Sequence, residues 1–402
     1  MTQQSLTIMI GADTYPPDVN GAAQFGYRLA TAMHHRGHQV HVVAANPKER
    51  KNYTRTVNGV VEHRLISHKA LTHPTIRICT PWGIWKRVGE ILDDVKPDVV
   101  HVQCHYIVGR VLLLQARKRG IRVVATNHFM PENLDPFLPF PRWFNDAFAQ
   151  LSWKDMRFVL ERAQVVTTPT PIAARAMKEA GNFKKPVIPI SNGINSDDYQ
   201  LREGEHFDPH PQELRIFFAG RLAVEKNIDV LIEALSLLPQ ELNHTVLELA
   251  GEGEKHEELQ EKAQECGVAD RVRFLGYVSD EQLREGYLRA DVFCQPGTAE
   301  LQSLVTLEAM SASRPVVLAN ALALPHLVQE GENGYLFEPN NAADLAQKLA
   351  QVLLAPEEER RRMGQCSRQM VEIHSAQKTW ETFESLYLSN QIYYDFVVSQ
   401  KK

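Results

Sequence analysis

Cysteine is scarce in this 402-residue chain, with five residues, Cys79, Cys104, Cys266, Cys294 and Cys366, odd in number and widely scattered. No two of them share a metal-ligand spacing, which argues against a disulfide framework and a zinc site and for a reducing compartment. Long apolar runs are missing too; none approaches the roughly 18–20 residues that span a bilayer. The opening MTQQSLTIMIGAD has no basic segment before its short apolar run, so a secretory signal is not expected. A cytoplasmic protein is the reading. Low-complexity tracts and short-period repeats are absent as well, which leaves an ordinary globular chain.

What is present fits that class. Hydrophobic residues make up 44% and charged residues 23%, and the length calls for two domains rather than one. The net charge of −5 conceals an imbalance: residues 1–200 carry a net +9 and the remainder a net −14. A basic half suggests an anionic partner, weighed evenly against chance imbalance on solvated faces. Nucleic acid is not among the expected partners.

Strand and helix patterns alternate along the chain. Leu6–Ile10 reads as a strand, followed by the loop GADTYPPDVNGAA, an amphipathic helix from Phe25 to Met33, and a strand at Gln39–Ala44. Further strands are expected at 99–102, 122–126, 165–168 and 186–190, with a helix over 111–119 stopped by Gly120. The stretch 195–213 is rich in Asp, Glu, His and Pro without periodicity and reads as a linker. A second alternating series has strands at 214–218, 246–250, 272–275, 291–294 and 315–319; after Glu358 the pattern is helical, with a long terminal helix that would brace the first domain. The expected fold is α/β, two doubly wound domains facing across a cleft. The boundaries are 1–195 with 378–402, and 196–377.

The informative stretch is Asp291–Glu308, DVFCQPGTAELQSLVTLE. A strand, a glycine-bearing loop and a helix start in that order present unpaired N–H groups and a positive dipole end to an anion. Glu300 and Glu308 flank that point and suit hydroxyls rather than phosphate. Phosphate and hydroxyls together suggest a nucleotide sugar. After the strand at 214–218 comes AGRLAVEKN, where Gly220 permits a tight turn, Arg221 and Lys226 supply two cations suited to a diphosphate, and Asn227 and Asp229 are candidate helix caps. Surface arginines and lysines are the commoner case, but this loop follows a strand's carboxyl end, where open α/β sheets bind ligands. His128, in TNHF after the strand ending at Thr126, has the same placement and suits a sugar hydroxyl. His101 and His105 read as core residues instead. Gly21 precedes a helix at a point where a side chain would obstruct a ligand, although taken alone it reads as a plain turn glycine, since the loop lacks a G-x-G-x-x-G pattern.

The order PPDVNGAA, TNHF, AGRLAVEKN, LAGEGE, VRFLGYVS, ADVFCQPG and E-x7-E (Glu300 to Glu308) resembles the retaining GT-B glycosyltransferases of family 4, over nearly the whole chain. The resemblance implies two Rossmann-like domains, an acceptor in the first and a UDP- or GDP-sugar in the second. It implies that Arg221 and Lys226 hold the diphosphate beside Gly220, with the backbone of Gly21 and Ala22 closing over it. Glu308 then binds the ribose, the backbone at Tyr277 and Val278 meets the base, and Glu300 with the amides of Gln302, Ser303 and Leu304 holds sugar and phosphates. His128 contacts the sugar at the reacting face. Catalytic roles thus fall to His128, Arg221, Lys226 and Glu300. No cofactor or metal is implied, in keeping with the absence of an Asp-x-Asp motif. Three departures bear on the donor sugar: Gln302-Ser303 replaces a Phe-Gly pair, with Gln302 resembling diacylglycerol-glycosylating enzymes, Arg314 replaces a glycine, and His326 replaces a glutamate.

Two stretches bear on the acceptor. RICTPWGIWKRV mixes Trp82 and Trp85 with Arg77, Lys86 and Arg87, and PENLDPFLPFPRWF carries Phe137, Phe140, Trp143 and Phe144 among prolines. Aromatics with cations suit an anionic membrane face; core aromatics are the plainer reading of each alone. The expectation is transfer of glucose or mannose to a lipid-linked or glycolipid acceptor, by an enzyme peripheral on the inner face of the plasma membrane. The alternatives are a soluble sugar or polyol acceptor, a catalytically silent partner subunit, and a nucleotide-sugar epimerase, which the E-x7-E spacing disfavours.

Overall fold

The computed structural model describes residues 5–18, 20–48, 51–69, 77–131, 141–205 and 213–399. The chain forms two units, Met1–Asn192 with Gln377–Lys402, and Gly193–Ala376.

In the first unit the order is β1 (Thr7–Ala12), α1 (Gly21–His35), β2 (Gln39–Ala45), β3 (Tyr53–Val57), β4 (Val60–Leu65), the two-residue pair β5 (His68–Lys69) and β6 (Arg77–Ile78), α2 (Pro81–Val95), β7 (Val99–Val102), α3 (Ile107–Lys118), β8 (Arg122–Thr126), α4 (Arg142–Leu160), β9 (Val165–Thr168), α5 (Pro171–Glu179) and β10 (Val187–Pro189). The sheet runs β10-β9-β8-β7-β1-β2-β4-β3, parallel throughout except for the β3–β4 hairpin. That hairpin went unread in the sequence. Its signal is Asn58-Gly59, both at positive φ (49° and 79°), the dipeptide that favours a two-residue turn matching strand twist. Helix α1 also starts earlier than Phe25. Asn20 caps it by accepting from the Ala23 amide at 2.9 Å, so Gly21 is its first residue.

The second unit contains β11 (Arg215–Ala219), α6 (Ile228–Ser236), β12 (Val246–Ala250), α7 (His256–Glu265), β13 (Val272–Gly276), α8 (Asp280–Arg289), β14 (Val292–Gln295), α9 (Leu304–Ser311), β15 (Val316–Ala319), β16 (Gly334–Phe337), α10 (Ala342–Leu353) and α11 (Glu357–Val371). Its sheet is all parallel, ordered β13-β12-β11-β14-β15-β16. Strands β11, β12, β14 and β15 are mostly apolar and buried along their length, as parallel strands covered on both faces are, whereas the edge strand β13 is partly exposed. Strand β16, GYLF, is too short and too glycine-bound to stand out in the sequence.

The end of the chain is not one long helix. After α11 and a 3-10 turn at Glu372–His374 come α12 (Ala376–Leu388) and α13 (Gln391–Ser399). Phe383, Leu386 and Tyr387 of α12 are buried in the first unit's core with Ile8, Phe25 and Val124. The Tyr387 hydroxyl lies 2.6 Å from His101 Nδ1, and Arg122 donates to the Leu386 carbonyl at 2.6 Å. His101, with Thr126 at 2.6 Å on its other nitrogen, is a fully bonded core histidine.

Candidate functional site

In the second sheet the chain progresses outward in one direction from β11 and in the other from β14. The boundary between these neighbours is a topological switch point, where open α/β sheets leave a crevice at the strand carboxyl ends. Two loops leave the sheet there, one after each strand.

The first begins at Gly220, with φ at 150° and its amide bonded to the Ala250 carbonyl at 2.9 Å. Its geometry depends on the neighbouring loop LAGEGE. A Cβ on Gly251 would stand 1.9 Å from the Gly220 carbonyl oxygen, and one on Gly253 2.2 Å from that of Leu222. These glycines let two loops press together and fix where Arg221 projects. A 3-10 turn, Val224–Lys226, then presents Lys226. Asn227 does not cap α6 through its side chain. It sits in the left-handed region (φ 49°) and donates instead to the Pro296 carbonyl at 3.4 Å and Thr298 Oγ1 at 3.3 Å, tying the first loop to the second.

The second loop carries Glu300 towards Lys226, and the two side chains form an ion pair. Arg221 pairs with Glu225 at 2.5 Å. Glu225 was overlooked in the sequence, although an opposite charge four residues on is a readable signal. Two cations, each held by a carboxylate, therefore meet at the switch point. The loop ends at Ser303, buried at the start of α9, whose hydroxyl accepts from Thr306 at 2.8 Å. Gln302 is buried beside His374, with Nε2 3.5 Å from its Nδ1. Leu304 opens the helix and Glu308 lies in its second turn. Glu308 is buried and accepts from the Tyr287 hydroxyl at 2.9 Å; Tyr287, on α8, left no signal in the sequence. Tyr277 and Val278 follow β13, Tyr277 well exposed and Val278 half-buried.

Arg314 donates to the Ala312 carbonyl at 2.8 Å and the Ala290 carbonyl at 3.0 Å, so it braces the end of α9 and does not enter the site. His326 packs 6.2 Å from the His374 ring.

In the first unit His128 stands just beyond β8, its ring 4.7 Å from that of Phe25. Its Nε2 is buried without a hydrogen-bond partner among the described residues, and burial pulls its pKa down to about 3. It is a neutral imidazole, suited to a hydroxyl. Gly21 and Ala22 open α1. A Cβ on Gly21 would meet nothing within 4 Å, so internal packing does not require glycine there. Of the aromatic stretches, Trp82 is 81% and Trp143 72% exposed, with Phe144 also exposed. Trp85 is half-buried under Lys118, whose Nζ is 4.8 Å from its ring. Phe137 and Phe140 lie outside the described residues. No described helix is long and apolar enough to cross a membrane, and among the described residues no cluster of His, Cys, Asp and Glu suits a metal ion.

Two family descriptions match in tandem, Glycosyltransferase Family 4 over residues 19–198 and Glycosyl transferases group 1 over residues 202–370. The chain is 26% identical to the sulfoquinovosyl transferase SQD2 of Arabidopsis thaliana over 69% of its own length, a match spanning only 54% of the plant protein. It is 24% identical to the alpha-monoglucosyldiacylglycerol synthase of Streptococcus pneumoniae, over 87% of this chain and 79% of that one. Among solved structures, the sucrose-phosphate synthase of Thermosynechococcus elongatus superposes with a TM-score of 0.75 at 18% identity, covering 98% of this chain and all of that one.

Proposed function

This chain belongs to the GT-B glycosyltransferases, family 4-like, and from that premise we propose that it moves a hexose, glucose or mannose, from a UDP- or GDP-sugar to a lipid-linked or glycolipid acceptor with retention of configuration. The observation that carries the reading is the meeting of Arg221, Lys226 and Glu300 at the β11/β14 switch point, beside the first turn of α9.

The chemistry follows from charge. As the bond between the anomeric carbon and the diphosphate breaks, negative charge grows on the leaving phosphate. Arg221, Lys226 and the amides at the start of α9 stabilise it; preorganised donors of this kind are each worth roughly 100- to 1000-fold in rate. The diphosphate competes with Glu225 and Glu300 for the two cations, and Glu300 then has its oxygens for sugar hydroxyls. Glu308, held by Tyr287, accepts from the ribose. The acceptor hydroxyl forms its new bond on the face the diphosphate leaves, and its proton departs with the leaving group. The Streptococcus relative, named for a glycolipid synthesis, and the exposed Trp82 and Trp143 support a lipid acceptor at a membrane surface.

The test is a donor panel. Release of UDP or GDP is followed with and without vesicles of anionic lipid and diacylglycerol. Turnover that requires vesicles is expected; turnover indifferent to them moves the acceptor to the soluble class, and no turnover with any donor overturns the reading.

A further inference from the structure

The first sheet has a switch point of its own. From β1 the order runs outward through β2, β4 and β3 on one side and through β7, β8, β9 and β10 on the other, so the β1/β7 boundary is where such a sheet leaves a crevice at its carboxyl ends. Gln103 stands there, one residue beyond β7, its backbone N–H donating to the Gly11 carbonyl of β1 at 3.0 Å. It is 2% exposed, and neither Oε1 nor Nε2 of its side chain has a hydrogen-bond partner among the described residues. Helix α1 runs against it. A Cβ on Gly26 would stand 2.7 Å from Oε1 and 2.8 Å from Nε2, so that glycine leaves the amide its room.

The neighbouring side chains show what a satisfied rung looks like. His101 lies 2.6 Å from the Tyr387 hydroxyl on one nitrogen and 2.6 Å from that of Thr126 on the other, and the Thr126 and Thr167 hydroxyls are 2.7 Å apart. Two residues further along the chain in each case come Gln103 and His128, and His128 Nε2 is likewise without a partner among the described residues. Both meet the same stretch of α1: Phe25 packs against the His128 ring, centroids 4.7 Å apart, and the next residue, Gly26, abuts Gln103. The inner rung is closed and the outer rung is open. A buried amide with neither group bonded costs stability, and such a cost is kept where a ligand or an ordered water supplies the missing bonds. Gln103 offers a donor and an acceptor, and burial holds His128 neutral. The rung therefore suits an uncharged group that both donates and accepts, which is a hydroxyl, and neither side chain carries the charge that a phosphate would call for.

We propose that Gln103 is a further substrate-contacting residue: with His128 it takes neighbouring hydroxyls of the acceptor, so the acceptor presents an uncharged sugar ring to the first unit. Held by no side-chain hydrogen bond, the amide turns into the crevice on its own χ angles and breaks no bond in doing so. The inference rests on the reading that the first unit takes the acceptor. The ring belongs to the headgroup of a glycolipid or to a free sugar.

The experiment compares the full wild-type chain with Gln103→Met, which keeps the length and removes the amide, and Gln103→Asn, which keeps an amide on a shorter stem. Saturation-transfer NMR with methyl α-glucoside reads binding, and the urea midpoint reads stability. Wild type should contact the glycoside, the Met variant should bind it about ten-fold or more weakly because two hydrogen bonds are lost, and the Asn variant should fall between. The Met variant should also unfold at the same or a higher urea concentration, since the amide it lacks makes no bond within the protein. A lower midpoint with unchanged glycoside binding means that an ordered water holds the amide in a structural role, and it overturns the proposal. No contact in wild type, or equal affinity in all three proteins, does the same. Transfer assays then assign the source. A KM for monoglucosyldiacylglycerol in vesicles that rises about ten-fold in the Met variant, with the donor KM within about two-fold, assigns the glycolipid, and the same rise seen only with methyl α-glucoside as acceptor assigns the free sugar. An equal rise with diacylglycerol, which has no ring, sinks the sugar claim. Glycoside binding that depends on Gln103 in a chain turning over no donor would overturn the transferase reading and leave this site standing.

Discussion

At the scale of single residues the site is a balance of four charges. Arg221 answers to Glu225 and Lys226 to Glu300, so each cation is aimed by a carboxylate of its own. Arg221→Ala or Lys226→Ala should each lower kcat by about 100-fold or more, with the acceptor KM little changed; near-normal turnover in both would remove them from the leaving-group site. Glu308→Gln should weaken nucleotide binding by about ten-fold, because one strong hydroxyl acceptor is lost. Titration with free UDP or GDP checks this, and unchanged affinity would place Glu308 in a purely structural bond with Tyr287. The placement of Arg221, Lys226 and Glu300 was legible because a loop at a strand's carboxyl end exposes its charges by topology. Glu225 and Tyr287 were not, since a pairing partner is chosen by tertiary packing, and Tyr287 comes from a helix whose sequence only announces its start.

At the scale of elements, the glycine loops govern the geometry. Gly251 combines φ of 140° with a Cβ position 1.9 Å from the Gly220 carbonyl. Gly251→Ala must displace the Arg221 loop, so donor affinity should fall and the denaturant midpoint should drop, by strain on the order of 1–3 kcal/mol. Gly21→Ala is the contrast. Nothing stands in its way, so stability should hold, and any loss of transfer would report a ligand against that backbone. The strands with long apolar runs were readable within a residue or two. The β3–β4 hairpin was missed although Asn58-Gly59 announces it, because alternation such as TRTV, polar on most positions, carries little hydrophobic signal. Helices α2 and α4 each present an exposed tryptophan. Trp82→Ala and Trp143→Ala together should cut co-sedimentation with anionic vesicles several-fold; unchanged binding would detach both from the membrane.

At the scale of the whole molecule, pH acts through buried histidines. Burial pulls His101 and His128 down to about 3, and His63, His105 and His374 to about 4. A histidine whose folded pKa lies below its unfolded value of about 6.5 binds its proton first in the unfolded chain, so stability falls as pH drops below about 6.5. Asp13, raised by burial to about 6, works the other way, as do Asp18 and Asp291, but the lowered histidines, His41 and His326 among them, outnumber these carboxylates. The urea midpoint should therefore fall steadily between pH 7 and 5, and a flat profile would contradict the burial of these rings.

The position of α12 has a consequence for biosynthesis. The first unit is encoded in two pieces, and its core keeps a place for Phe383, Leu386 and Tyr387, which leave the ribosome only after all of the second unit. Domains generally fold in the order in which they emerge. Here the order is inverted: the second unit, one continuous stretch, is complete while the first still exposes the apolar groove that α12 will fill and leaves His101 short of the tyrosine it bonds. The nascent chain thus carries an unfinished, sticky first half through roughly half of its translation, the period in which it has most need of a chaperone.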